Sequence, residues 1–168
     1  MTDFWDWAVK VYGGEGVAEA CLRLQDEDGQ NVPLLLWAIW LACEGWSVSE
    51  SQARKAADLA RNWSSELIAP LRLLRRRLKT ELSTGDEALR LPLREKIKAI
   101  ELEAERALML QLAGLNDLMK IDLNQSVNRQ AFNNLRVMSQ AWDHVVPESA
   151  LLRLIEALSD GRFLQYNL

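Results

Sequence analysis

Val32-Pro33-Leu34-Leu35-Leu36-Trp37-Ala38-Ile39-Trp40-Leu41-Ala42-Cys43 is the stretch of sequence that decides the fold. None of these residues carries a charge, and Asn31 stands before them as a good N-cap. Pro33 is tolerated in the first turn of a helix, and Gly45 can adopt the left-handed conformation after its end. A helix that is apolar on every side has no face for solvent, so other elements must surround it. The stretch therefore predicts the central helix of a helical bundle.

The composition is that of a globular protein with a substantial core. The chain has 168 residues, of which 49% are hydrophobic. A chain of this length buries enough apolar surface to fold without disulfides or metal ions. Five of its seven tryptophans, Trp5, Trp7, Trp37, Trp40 and Trp46, come before residue 50, so we expect the densest packing in the first third.

The cysteines and the hydropathy pattern predict a soluble cytoplasmic protein. Cys21 and Cys43 are the only cysteines, and each falls on the apolar face of a predicted helix, as buried reduced thiols do. The N-terminus has no basic segment followed by an apolar signal core. The central apolar stretch is too short to cross a bilayer, which needs about 20 residues.

The order of apolar stripes and polar breaks predicts an all-α bundle of about seven helices in a single domain, residues 1–168. Short Trp-rich helices occupy 1–46, a long antiparallel helical hairpin 49–119, and further helices 122–168. In the hairpin, leucines recur at spacings of four and three residues, a seam that requires a second helix against it. These leucines are Leu67, Leu71, Leu74, Leu78 and Leu82.

Helix boundaries in the hairpin follow from caps and prolines. Ser47 and Ser49 each begin a capping-box pattern, with Glu50 and Gln52 three residues later, so the first helix starts at one of them. We expect Pro70 to kink this helix without ending it. The second helix is expected to start near Leu91-Pro92 and to run to about Met119. No stretch has a convincing strand pattern.

Several blocks in the first third occur in the order found in a small proteobacterial family. They are Phe4-Trp5-x-Trp7-Ala8, Gly16-Val17, Ala20-Cys21-Leu22-x-Leu24-Gln25-Asp26 and Gly29-x-Asn31-Val32-x-Leu34-Leu35-Leu36-Trp37. The chain resembles this family over about residues 4–46. The family consists of short uncharacterised proteins carrying a domain of unknown function. The resemblance implies a bacterial cytoplasmic protein, and it supplies no activity, cofactor or catalytic residue.

Charge is unevenly distributed along the chain. Residues 1–48 hold eight acidic and two basic residues, whereas residues 49–98 hold seven acidic and twelve basic residues. A basic cluster at Arg72, Arg75, Arg76 and Lys79, with Arg94 on the second helix of the hairpin, predicts a surface that binds a partner. Phosphate backbones suit such a surface. The alternative is a solvated helix face whose cations pair with Glu81, Glu95 and Glu101.

The turn before the central helix is the other polar cluster. Asp26, Asp28 and Asn31 lie close together there, and they superficially suggest a calcium loop. The spacing fails, because aligning Gly29 with the loop glycine places leucines where the first and last ligands belong. We interpret the turn as a cap for the central helix, and we keep Asp26 and Asp28 as candidate acids of a small enzyme.

These patterns lead to three hypotheses about function. The first is a non-catalytic protein-protein interaction or adaptor module. The second is a nucleic-acid- or ribosome-associated protein that uses the basic hairpin tip, and the third is a small enzyme with acids in the Asp26 turn. The sequence contains no nucleophile elbow, phosphate-binding glycine loop or zinc motif, and its one histidine is His144. We therefore predict no catalytic residue, metal or cofactor, a protein partner, and no membrane partner.

Overall fold

The fold is built around the predicted central helix. The computed structural model describes residues 2–79, 87–115, 119–120, 125–142 and 146–165. Helix α3, Val32–Cys43, begins at an N-cap, Asn31, whose side chain accepts a hydrogen bond from the Leu34 amide at 3.1 Å. Every residue of α3 except Pro33 is buried. Gly45 has φ of 80°, so the left-handed position after the helix lies where the sequence predicts it.

The two short helices that precede α3 in the chain pack against it. Helix α1, Phe4–Tyr12, and helix α2, Val17–Asp26, are each apolar on one face. The tryptophan-rich first third packs as expected, since Phe4 lies against Trp40 with the ring centroids 5.1 Å apart. Trp40 donates its indole N–H to the Thr2 hydroxyl at 3.2 Å. The tryptophans of α3 are thus core residues.

One long helical run follows α3. Helix α4, Glu50–Trp63, passes through a π-helical segment, Ser64–Ile68, into helix α5, Ala69–Arg77. Ser49 is the cap, and it forms the reciprocal capping box with Gln52, which decides between the two predicted starts. The helix continues through Pro70 as predicted. The wide turn just before Pro70 relieves the clash that a proline ring makes with the carbonyl four residues earlier.

Helix α6, Glu87–Ala113, forms the second half of the hairpin with different bounds from those expected. It begins before Leu91, with Pro92 inside its first turns, and it ends at Ala113, just before Gly114, rather than near Met119. Glycine is a weak helix former, and here it terminates the helix. The expected break at residues 83–86, together with Glu81 and Leu82, lies outside the described residues.

The C-terminal helices close the bundle. Helix α7, Val127–Trp142, packs along α3, and helix α8, Glu148–Asp160, packs on α2 and α7. Beyond α8 the chain returns to the core, where Leu164 is buried and the Phe163 carbonyl accepts a weak hydrogen bond from the Cys43 thiol.

The described residues form seven continuous helices when α4, the π segment and α5 are counted as one, in agreement with the predicted all-α bundle. The sequence pattern missed one feature, an antiparallel pairing of two-residue strands β1, Trp46–Ser47, and β2, Met119–Lys120. Such short strands leave no periodicity to detect. Within the described part of the chain, no helix is both long enough and apolar enough to cross a membrane.

Candidate functional site

The predicted basic cluster lies in a groove between helix α2 and the hairpin of α5 and α6, which we call the charged groove. All five predicted partner-binding residues line it, and its volume is about 350 Å³. Asp26, from the second predicted site, also lines it. The basic cluster and one acid of the turn therefore meet at one surface, although more than 40 residues separate them in sequence.

Two arginines of the groove are held by a buried glutamate. Arg72 Nε donates to Glu101 Oε1 at 3.0 Å, and Arg75 Nε donates to Glu101 Oε2 at 2.5 Å. Arg72 also reaches Glu105 with its second donor group, at 2.9 Å. Nearer the tip of the hairpin, buried Arg90 donates to the Leu78 carbonyl. Residues later in α5 thus meet residues earlier in α6, which makes the hairpin antiparallel as predicted.

The two glutamates respond to the groove in opposite ways. Burial favours the neutral form of Glu101, but the hydrogen bonds from Arg75 and Arg72 outweigh burial and lower its pKa below the usual value. The pKa of Glu105 is raised because its burial outweighs the single arginine beside it. The bond to Glu101 raises the pKa of the Arg75 guanidinium. The arginines nearest the core are therefore part of a structural ion-pair network.

The other three cations of the cluster differ from one another. Arg94 pairs with its neighbour Glu95 at 2.6 Å, while Arg76 and Lys79 are exposed and form no ion pair with any described residue. The predicted pairing with acids is correct for Arg72, Arg75 and Arg94. Sequence reasoning missed Glu105. Its signal was the spacing, because Arg94, Glu101 and Glu105 share one face of α6.

The acidic turn has one clear structural role. Asn31 caps α3, as predicted. Asp26 lines the charged groove, whereas Asp28 lines a separate cleft between α2 and α8. In the parts of the chain that the structure describes, no group of three or more histidine, cysteine or acidic residues is placed to hold a metal ion. His144 lies outside those parts.

A second surface of the hairpin is apolar. Large aliphatic residues of the π-helical segment, α5 and α6 have 40 to 75% of their surface exposed. We use the name apolar face for five of them: Leu67, Leu74, Leu89, Leu93 and Ile100. The predicted leucine seam is thus divided, since Leu78 is buried against α6 while Leu67 and Leu74 are left uncovered.

The apolar face lies opposite the charged groove. On α5, Leu74 and Arg72 are separated by about 200° of helix rotation, and on α6, Ile100 and Glu105 are separated by about 140°. Arg72 bonds Glu105, so the charged flanks of the two helices are on the same side of the hairpin. The aliphatic flanks therefore share the other side. The charged groove and the apolar face therefore lie on opposite flanks of the hairpin.

Comparison with known families matches the greater part of the chain. A family model described as "Protein of unknown function (DUF2390)" covers residues 3–112. It includes the blocks that carry the resemblance, and it extends from them through the central helix and most of the hairpin. No curated protein and no solved structure matches the chain. The charged groove and the apolar face both lie within the matched residues, and the chain belongs to the DUF2390 family.

Proposed function

We propose that this protein is a non-catalytic protein-interaction module whose hairpin binds a partner protein through the apolar face. The single observation that carries this proposal is the exposure of Leu67, Leu74, Leu89, Leu93 and Ile100 on one side of two adjacent helices. Scattered exposed leucines are ordinary on a protein surface. Several exposed aliphatic residues on the same flank of a helical hairpin are less ordinary, and exposed apolar surface of this kind typically marks a site of association.

The position of the hairpin supports this role. Helix α5 has no buried residue, and before Glu101 the only buried residue of α6 is Arg90. The outer part of the hairpin therefore contributes little to the core and presents both of its sides to solvent. Burying an apolar surface against a partner is favourable, with a free-energy gain of about 25 cal/mol per Å² of apolar area removed from water.

The groove on the other side supports a non-catalytic role. Its inner arginines, Arg72 and Arg75, are engaged by Glu101. Asp26 and Asp28, the acids considered for an enzyme, line different clefts. The two acids therefore do not form a pair within one cleft.

Site-specific photo-crosslinking in the native cell tests the proposal. A photoreactive amino acid at Leu93 should give protein adducts, because this position lies in the apolar face. The control places the same photoreactive amino acid at Leu152. Leu152 lies on α8, outside the hairpin, and 44% of its surface is exposed. Adducts at Leu93 that are absent at Leu152 are the expected result. Equal labelling at both positions, or none at Leu93, would contradict the proposal.

A second candidate function, binding of a nucleic-acid or ribosomal phosphate backbone, has one observation in its favour. Arg76, near the end of α5, and Lys79, just beyond it, are exposed and form no ion pair with a described acid. A protein that uses these cations on phosphate would lose affinity steeply with salt.

A further inference from the structure

Along α6, a line of apolar residues extends the apolar face towards the body of the protein. Leu93, Ile100 and Ala107 follow one another at intervals of seven residues, so they form one line along the helix. Leu93 and Ile100 are half exposed and Ala107 is half-buried. Ile100 is the middle of this line, with a large residue towards the hairpin tip and a small residue towards the body of the protein.

Two charged residues lie beside this line. Lys96 and Glu103 are also seven residues apart, and Ile100 lies between them along the helix axis. Both are exposed, and neither forms an ion pair with a described residue. They are about 10 Å apart along the helix, too far to pair with each other. A positive charge on the tip side thus balances a negative charge on the body side.

We propose that the occupant of this surface is a second copy of the same chain, with the two α6 helices crossing antiparallel at Ile100. In that arrangement Ile100 meets Ile100 of the second copy, and Leu93 lies opposite Ala107. Lys96 then faces Glu103 twice, because a two-fold interface repeats every contact. The self-association rests on the apolar face being an interaction surface, as proposed above.

Both charge and shape favour this antiparallel pairing. A parallel pairing in register would place Lys96 against Lys96 and Glu103 against Glu103, and like charges face to face are unfavourable. A large residue opposite a small one lets two helices interdigitate. Leu67 of the π-helical segment and Leu74 of α5 flank the same side, so two hairpins would meet as a four-helix arrangement.

Sedimentation of the full-length chain tests the proposal by charge reversal. Wild type should be a dimer, and Lys96→Glu or Glu103→Lys alone should weaken it by about tenfold, because two attractive contacts become repulsive. The double variant Lys96→Glu/Glu103→Lys should restore the dimer, since both pairs become attractive again. Ile100→Glu should give a monomer of unchanged helix content, and Leu152→Glu on α8 should remain dimeric.

Two results would overturn the self-association. One is a wild-type monomer over the concentration range tested, and the other is a dimer that survives Ile100→Glu or does not recover in the double charge reversal. The photo-crosslinking experiment distinguishes this failure from that of the interaction role. Adducts from Leu93 to a different protein, with a monomeric wild type, overturn only the self-association. Absence of any Leu93 adduct overturns both.

Discussion

The side-chain amide of Asn134 donates a hydrogen bond from Nδ2 to the Ala38 carbonyl oxygen at 3.0 Å, joining α7 to the middle of the central helix. The same Nδ2 donates to the Trp46 carbonyl, also at 3.0 Å. Its Oδ1 accepts from the Val48 amide and from the Gln130 side chain. A single buried amide thus satisfies backbone groups of α3 and of the segment that follows it.

Replacing Asn134 with alanine should destabilise the protein by several kcal/mol. Asn134 is buried, and each polar group left without a partner costs about 1–3 kcal/mol. Urea unfolding at neutral pH measures the difference. Asn133→Ala is the matched control, because this neighbour is only partly buried, and it should cost less than about 1 kcal/mol. Equal costs at the two positions would contradict the role assigned to Asn134.

Replacing each of the two tryptophans of the central helix with phenylalanine should lower the stability of the protein by different amounts. Both are buried, but the Trp40 indole donates to Thr2, whereas the Trp37 indole N–H has no hydrogen-bond partner among the described residues. The loss of ring volume is the same in both variants. Trp40→Phe should therefore be the more damaging change by about 1 kcal/mol, the net value of one hydrogen bond. Thermal or urea unfolding of the two variants checks the order, and the reverse order would be inconsistent with this pairing.

The sequence predicted the elements whose cause is local. The uncharged run from Val32 to Cys43 requires burial wherever its neighbours lie, and Asn31, Ser49 and Gly45 act on adjacent backbone groups. Helix α6 was less predictable. Pro92 lies inside its first turns, whereas a proline in the sequence pattern is typical of a helix start. The end of the helix depends on the position of Gly114 relative to the part of α6 that packs on the core.

Long-range polar pairing could not be predicted from the sequence. In the sequence, Asn134 is indistinguishable from a polar residue on a helix surface. Its role as a buried hydrogen-bonding residue follows only from its position opposite Ala38 in the fold. The basic cluster was identified, but its meeting with Asp26 depends on how α2 packs beside the hairpin. The leucine seam predicted contact with another helix. It did not indicate that Leu74 would lie beyond that contact and remain exposed.

Glu101→Gln should remove stability at neutral pH and not in acid. In the folded protein the pKa of Glu101 is lowered by arginine hydrogen bonds that outweigh its burial, so the folded state binds fewer protons than the unfolded state just below the ordinary Glu pKa of about 4.3. The contribution of Glu101 to the free energy of unfolding is therefore fully present above the ordinary Glu pKa, and it is lost as the pH falls through the lowered pKa of the folded state. We expect a cost of about 2 kcal/mol at pH 7 that shrinks towards zero below about pH 4.

Urea unfolding across this pH range measures the effect, with exposed Glu103→Gln as a control that should have little effect at any pH. Glu105 should have the opposite sign. Because burial raises its pKa, ionising it disfavours the folded state, and its contribution decreases as the pH rises from about 4.3 through the raised value. A Glu101→Gln cost that does not change with pH would contradict the ion-pair network.

The docked C-terminal segment should control access to Cys43. Burial raises the pKa of both Cys21 and Cys43 to about 12, so only about one thiol in ten thousand is ionised at pH 8. Leu164→Asp should displace the segment, because Leu164 is buried, and should expose Cys43 next to Phe163. Thiol labelling followed by mass spectrometry should then find faster reaction at Cys43 alone. Faster labelling of both cysteines would indicate general unfolding instead.

The basic hairpin tip should not bind nucleic acid at near-physiological salt. Arg72 and Arg75 are paired with Glu101 and Arg94 with Glu95, which leaves Arg76 and Lys79 as the exposed cations of the predicted cluster, in a chain of net charge −4. Two phosphate contacts give little affinity at that salt concentration, because the affinity falls by about 0.9 logarithmic units per contact for each tenfold rise in salt. Titration of labelled duplex DNA and RNA should therefore match an acidic control protein. Tight binding that Arg76→Gln/Lys79→Gln abolishes, and that Arg129→Gln/Arg136→Gln on α7 leaves intact, would reverse the order of the two proposed functions. In that case the salt slope of wild-type binding should correspond to about two phosphate contacts. The loss in the variant would be a loss of charge, because glutamine keeps the helix propensity.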